Sequence, residues 1–170
     1  MQVLWGRCLA LVLFLCLPGT AIADIYGLVH LRSIHPEESG LTDRTPGVGI
    51  GTARGIDPRG SEWFVEGAFF SNSYDEPSPL VMTGVSTPIA KVGPVEVRLG
   101  GAVGLGRYKK LCEKLMKKYD AMPDTKSILP VVSASVGLRM GKTDLRLSAI
   151  PHSKMPERRP ILNISLSRRF

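Results

Sequence analysis

From residue 25 to residue 170, apolar and polar side chains alternate in segment after segment with a period of two. That period belongs to β-strands, whose successive side chains point to opposite faces of a sheet. Val95, Val97, Leu99, Gly101, Val103 and Leu105 share one face, against Glu96, Arg98, Gly100, Ala102 and Gly104 on the other. Leu162, Ile164, Leu166 and Phe170 stand against Asn163, Ser165, Ser167 and Arg169, and Leu145, Leu147 and Ala149 against Asp144, Arg146 and Ser148. Trp63, Val65 and Phe69 alternate with Glu62, Phe64, Glu66 and Ala68. Eight such segments are expected, over 25–33, 46–55, 61–71, 79–88, 94–105, 128–139, 143–150 and 160–170. Each is about ten residues, the length a tilted strand needs to cross a bilayer. The connections alternate in length: 56–60, 89–93 and 140–142 are short, whereas 34–45, 72–78, 106–127 and 151–159 are longer and polar. Short turns on one side and long loops on the other are the habit of membrane barrels. The pattern predicts an all-β fold, an eight-stranded antiparallel up-and-down transmembrane β-barrel. A soluble sandwich or lipocalin-like barrel shares the alternation but turns its apolar face inward. In a membrane barrel Glu62, Glu66, Glu96, Arg98, Arg139, Asp144 and Arg146 face the lumen instead, where they can pair.

Residues 1–23 read as a signal peptide. Arg7 is followed by the apolar run Cys8–Leu17, and Ala21-Ile22-Ala23 offers a small-x-small cleavage site before Asp24. The run is too short to span a bilayer as a helix. Residues 24–170 are then the barrel domain, and Cys112 is the one cysteine in it, so no intrachain disulfide can form there. Phe170 closes an alternating last segment and resembles the terminal aromatic of outer-membrane barrels. The expected location is the outer membrane. The net charge of +7 suits anionic lipid or sugar surfaces. Export sets nucleic acid aside. Arg107–Tyr119 is basic, with Leu111, Leu115 and Met116 at helical spacing. It reads as a surface helix whose Lys109, Lys110, Lys114, Lys117 and Lys118 meet lipid phosphates, or as a solvated charge run.

Few residues are suited to chemistry. No two of His30, His35 and His152 stand at metal-binding spacing, and no metal or cofactor is expected. The glycines lack a strand-to-helix context and do not form a phosphate loop. His30 near the outer end of the first strand and Asn72-Ser73 at the outer end of the third fall on one rim. An imidazole beside a serine hydroxyl is the minimum for acyl transfer, because it accepts the hydroxyl proton as the oxygen attacks. A third polar group can orient the ring.

The chain resembles the lipid A palmitoyltransferase family of outer-membrane enzymes. The resemblance runs in order through His30, Arg44-Thr45-Pro46-Gly47-Val48-Gly49-Ile50-Gly51, Phe69-Phe70-Ser71-Asn72-Ser73-Tyr74, Ile128-Leu129-Pro130-Val131-Val132, Ile150-Pro151 and Phe170. It implies an eight-stranded barrel that moves an acyl chain from a phospholipid to lipid A. It also implies catalytic roles for His30, Asn72 and Ser73, with His35 a rival for the histidine, and an apolar pocket inside the barrel that measures the chain. Gly49, Gly51, Gly100, Ala102 and Gly104 are expected to leave that space. Asn72 stands where the family has Asp, and the family's amphipathic N-terminal helix has no counterpart. The implied partners are phospholipid and lipid A, and the barrel is expected to be a monomer. Alternatives are a lipid A deacylase with the same His and Ser, and a non-enzymatic barrel whose loops bind a surface partner.

Overall fold

The computed structural model describes residues 23–35, 41–113, 127–151 and 160–170. Residues 1–22 of the expected 1–23 signal peptide, His152, and the basic segment beyond Glu113 lie outside the described residues; 109–113 is helical. Eight strands follow one another: β1 (Asp24–Ile34), β2 (Gly47–Gly55), β3 (Glu62–Ser71), β4 (Pro77–Val92), β5 (Val95–Arg107), β6 (Ile128–Met140), β7 (Thr143–Ile150) and β8 (Ile161–Arg169). Each pairs antiparallel with its neighbour in sequence, and β1 pairs with β8, which closes the barrel. Closure gives every strand a partner strand on each side. The expected eight-stranded antiparallel barrel is therefore the observed fold.

Most boundaries shift by one or two residues, and β4 differs most: residues 89–92 of the expected connection 89–93 are strand, and β4 runs on to Val92 through a register shift between Pro88 and Ala90. Pro88 has no N–H to give the ladder, and the extra residue Ile89 absorbs the irregularity. The remaining turn, residues 93–94, begins with Gly93 at φ 57°, and Gly141 has the same φ in the turn from β6 to β7. Two-residue hairpins need that left-handed conformation.

The outer surface is apolar. Val48 is 65% exposed, Ile50 62% and Leu105 59%, and they are joined by Val81, Val103 and Val132. A continuous belt of this kind is foreign to a water-facing surface and fits lipid tails. The charges point inward, as the alternation predicts. At the end that carries the short turns, Arg139 donates to both oxygens of Glu62 at 2.9 Å and to Asp144 at 2.7 Å. Arg169 donates to Glu62 at 2.7 Å, and the buried Arg98 bonds Glu96 and the carbonyl of Gly60. Above this layer Arg146 grips both oxygens of Glu66 at 2.8 Å, Tyr26 donates to Glu66 at 3.0 Å, and Arg146 lies over the Phe64 ring. An eight-stranded barrel is only wide enough for side chains to fill it. These layers plug the lower lumen. Above them Leu80, Met82 and Val131 form an apolar cluster with Phe70, Tyr108 and Ile150 packed on it.

Candidate functional site

The cavity between that cluster and the loop end of the barrel measures about 530 Å³, within the roughly 300–1,000 Å³ of ligand pockets. Its floor is Phe64, Glu66 and Arg146. One wall is apolar (Phe70, Leu80, Met82, Val131, Ile150), and the wall from β7, β8 and β1 is polar (Ser148, Asn163, Ser165, His30, Ser33). Ser73 lies at its mouth. The space does not come from the glycines expected to supply it. A Cβ on Gly51 would stand 2.3 Å from the Tyr26 ring, and one on Gly104 would stand 2.1 Å from the Val81 carbonyl oxygen and 2.8 Å from Met82 Cγ. Those glycines admit a neighbouring ring or the adjacent strand, so they are filled rather than open. The ladder between β6 and β7 begins only at Ala134 and Ala149, so Ile128–Ser133 has no described partner strand on that side of the cavity.

At the mouth three residues are linked. Ser73 Oγ is 2.7 Å from His35 Nε2, and His35 Nδ1 is 3.0 Å from Asp43 Oδ1. The carboxylate can only accept from Nδ1–H, so Nε2 is left to accept the Ser73 hydroxyl proton. The His35 backbone N–H also donates to Asp43 Oδ1 at 3.2 Å, and Arg32 donates to Oδ2 at 2.8 Å. Hydrogen bonds from Arg32 first, then from His35, hold the Asp43 carboxyl down at about 2 rather than the usual 3.8. Asp43 therefore stays an anion behind the imidazole. His35 is buried.

Local structure brings these groups together. A register shift between His30 and Arg32 places one extra residue in β1 against β8. Before it Tyr26, Leu28 and His30 face inward; after it the buried positions are Ser33 and His35. Without that bulge His35 would share the outward parity of Val29 and Leu31. The following loop returns through Ser33 N–H to the Asp43 carbonyl at 3.0 Å, and Thr42 N–H donates to the Ser73 carbonyl at 3.1 Å. Those two bonds set Asp43 behind His35 and the turn after β3 in front of it.

The sequence reading sets His30 beside Ser73; the structure instead seats His35 there. His30 faces the cavity lower down, its Nδ1 3.1 Å from Asn163 Oδ1 and its ring 5.3 Å from that of Phe70. Asn72, expected to orient the histidine, is occupied within its own turn. Its Oδ1 accepts from the N–H of Tyr74 and of Glu76, and its Nδ2 donates to Ser78 Oγ at 2.8 Å. Ser78 Oγ in turn donates to the Arg107 carbonyl at 2.5 Å. An Asp there would have no N–H to give Ser78. Asp43 was missed because no spacing marks it; only the loop's return puts it at the ring. Helical residue Lys110 bonds the same turn, through its N–H to Glu76 and its Nζ to the Tyr74 carbonyl. Among the described residues no group of His, Cys, Asp or Glu is placed to hold a metal ion.

A closed eight-stranded ladder, an apolar exterior, a charged lower lumen and a polar-mouthed cavity define the class: a small membrane barrel with a Ser–His–Asp constellation at its rim. No protein-family model matches the chain, and no curated protein matches it. Among solved structures the chain is similar to the Yersinia pestis outer membrane protein Ail in a phospholipid bilayer nanodisc. Identity is 11% over 88% of this chain and 100% of that one, with a TM-score of 0.40.

Proposed function

We propose that this chain is an outer-membrane lipid acyltransferase with Ser73 as nucleophile, His35 as general base and acid, and Asp43 holding the imidazole. Residues 1–23 serve as its export signal, and the turn end of the barrel faces the periplasm. The observation that carries the reading is the linked Ser73, His35 and Asp43 at the mouth of the cavity.

In the first half-reaction Ser73 Oγ attacks the ester carbonyl of a phospholipid and His35 Nε2 takes the hydroxyl proton. The ester C–O bond then breaks, and the departing lysolipid oxygen takes that proton from His35. The chain is left esterified to Ser73 and lies in the cavity. In the second half, a hydroxyl of the acceptor gives its proton to His35 and attacks the acyl carbon. The bond between the acyl carbon and Ser73 Oγ then breaks, and the departing Oγ takes the proton back from His35 Nε2. Asp43 accepts from Nδ1–H throughout and stabilises the imidazolium, which a neutral residue would do less well. Phospholipid as donor and lipid A as acceptor follow from the resemblance above. His30 and Asn72, which that resemblance would make catalytic, take supporting places in this mechanism: the cavity wall and the turn that carries Ser73.

The test is the mass profile of lipid A from cells expressing the protein and from cells expressing Ser73→Ala or His35→Ala. A gained acyl mass that vanishes in both variants supports the reading. A lost acyl mass means that water is the acceptor and the enzyme is a deacylase. An unchanged profile, with the barrel present in the outer membrane, overturns the enzyme in favour of a binding barrel.

A further inference from the structure

Two arginines stand on the outside of the barrel wall beside the Ser73 site. Past the bulge in β1, Ser33 and His35 are buried while Arg32 and Ile34 are exposed; entering β2, Thr45 is buried while Arg44, Pro46 and Val48 are exposed. Ser33 bonds both neighbours of Arg44. Its N–H donates to the Asp43 carbonyl at 3.0 Å, and its hydroxyl is 2.9 Å from that of Thr45. Ser33 and Asp43 are thus opposite one another, and one position along so are Arg32 and Arg44, with Cβ atoms roughly 5 Å apart. Like charges so placed destabilise a sheet. Asp43 answers one of them: it accepts from one Arg32 nitrogen at 2.8 Å while it also holds His35. Among the described residues no other carboxylate is paired with either arginine, so two guanidiniums face one carboxylate. The pair lies at the loop end of the lipid belt, beyond Val29 and Leu31 on β1 and beyond Val48 and Ile50 on β2. Arginine on that face is tolerated at headgroup level and costly among tails.

We propose that Arg32 and Arg44 bind a phosphate monoester on the headgroup of the acceptor lipid. As a statement about the acceptor it rests on reading Ser73, His35 and Asp43 as the acyl-transfer site. Guanidinium forks match phosphate oxygens in pairs, and two forks side by side need more oxygens than one carboxylate offers. A monoester presents three terminal oxygens and about 1.5 to 2 negative charges near neutral pH, enough to serve both arginines and quench their repulsion. A phosphodiester headgroup has two free oxygens and one charge, and serves the pair less well. The place suits an acceptor. Arg32, Asp43, His35 and Ser73 form one chain of hydrogen bonds, so a headgroup held by its phosphate on the outer face has its hydroxyls beside the mouth where Ser73 lies.

The experiment is native mass spectrometry of the detergent-refolded barrel titrated with phosphatidic acid, a monoester, and with phosphatidylglycerol, a diester, of the same tails. Ser73→Ala is the background throughout, so no chain is transferred. Phosphatidic acid is expected to bind about tenfold tighter, the worth of one further charge-assisted hydrogen bond. Arg32→Gln and Arg44→Gln are each expected to lose that preference. Arg44→Gln keeps every described hydrogen bond of the barrel, because the bond Arg44 makes to Thr42 Oγ1 comes from its backbone N–H. Arg44→Lys keeps the charge without the fork and is expected to retain part of the preference. Arg107→Gln removes an exposed arginine at the loop end of β5, away from β1 and β2, and is expected to change nothing. Equal binding of the two lipids overturns the proposal, as does binding of neither. A preference that survives Arg32→Gln and Arg44→Gln, or one that Arg107→Gln abolishes as well, also overturns it. Failure of the acyltransferase reading shows separately, as an unchanged lipid A profile beside an intact phosphate preference.

Discussion

Replacing Arg146 by Met tests whether the floor of the cavity is a dry ion pair. Among the described residues Arg146 is the only cation on Glu66; it places one nitrogen 2.8 Å from each carboxylate oxygen, and the side chains are 22% and 6% exposed. Without it Glu66 keeps, among the described residues, the Tyr26 hydroxyl at 3.0 Å. Breaking a buried pair from one side costs roughly 3–5 kcal/mol, and the adjoining cavity gives access to water, so the low end applies, about 3 kcal/mol. That is more than a hundredfold, by order of magnitude, in the ratio of folded to unfolded barrel. Equilibrium unfolding in urea from lipid vesicles reads it, followed by Trp63, the single Trp of residues 24–170. Adding Glu66→Gln removes the stranded charge while its amide oxygen still accepts from Tyr26. The double variant is expected to recover most of the loss, to within about 1 kcal/mol of the native barrel, since a buried pair is replaceable by a neutral one. A single variant within about 0.5 kcal/mol of native, or a double variant as unstable as the single, refutes the dry floor.

Three further outcomes follow from named contacts. Asp43 should titrate near 2; because its folded value is below 3.8, the bonds it makes are fully present above that value and lost as pH falls through about 2. Arg32→Ala should return its carboxyl resonance toward 3.8 in a pH series, and a native midpoint already at 3.8 would remove Arg32 and His35 as its partners. Gly51→Ala puts a methyl 2.3 Å from Tyr26 Cζ and should cost about 1–3 kcal/mol by urea unfolding, whereas Gly67→Ala meets nothing within 4 Å and should be near neutral. Equal effects at the two sites would show that Tyr26 is free to move. Asn72→Asp should slow acyl transfer and raise proteolytic cutting in the 72–76 turn, because Ser78 loses the amide donor; unchanged cutting would mean that Asn72 does not hold the turn.

The barrel was open to reading because its alternation is local. Each strand carries its own record of which face meets lipid, and the inward Glu62, Arg98, Asp144 and Arg146 stand where that record places them. The site was less open to it, since it depends on one added residue. Ile25, Gly27, Val29 and Leu31 keep odd parity in the outward set, and then Ile34 takes it over at even parity. That change of phase is visible in the sequence and marks the bulge. Read across it as regular strand, His30 faces in and His35 faces out. Asp43 carries no local mark, because its place behind His35 depends on hydrogen bonds between loop and turn. The glycines misled in a different way: a missing Cβ opens space only if no neighbour takes it, and Tyr26 and Met82 do.

The central claim is that Ser73 is activated by His35. The most direct measurement is the rate at which a fluorophosphonate labels the detergent-refolded barrel, read by intact mass and by the modified peptide. Label confined to Ser73, about 10²–10⁴-fold slower in His35→Gln and within a few-fold of native in His30→Gln, is the expected result. Label absent from Ser73, or slowed by His30→Gln and not by His35→Gln, would contradict the account.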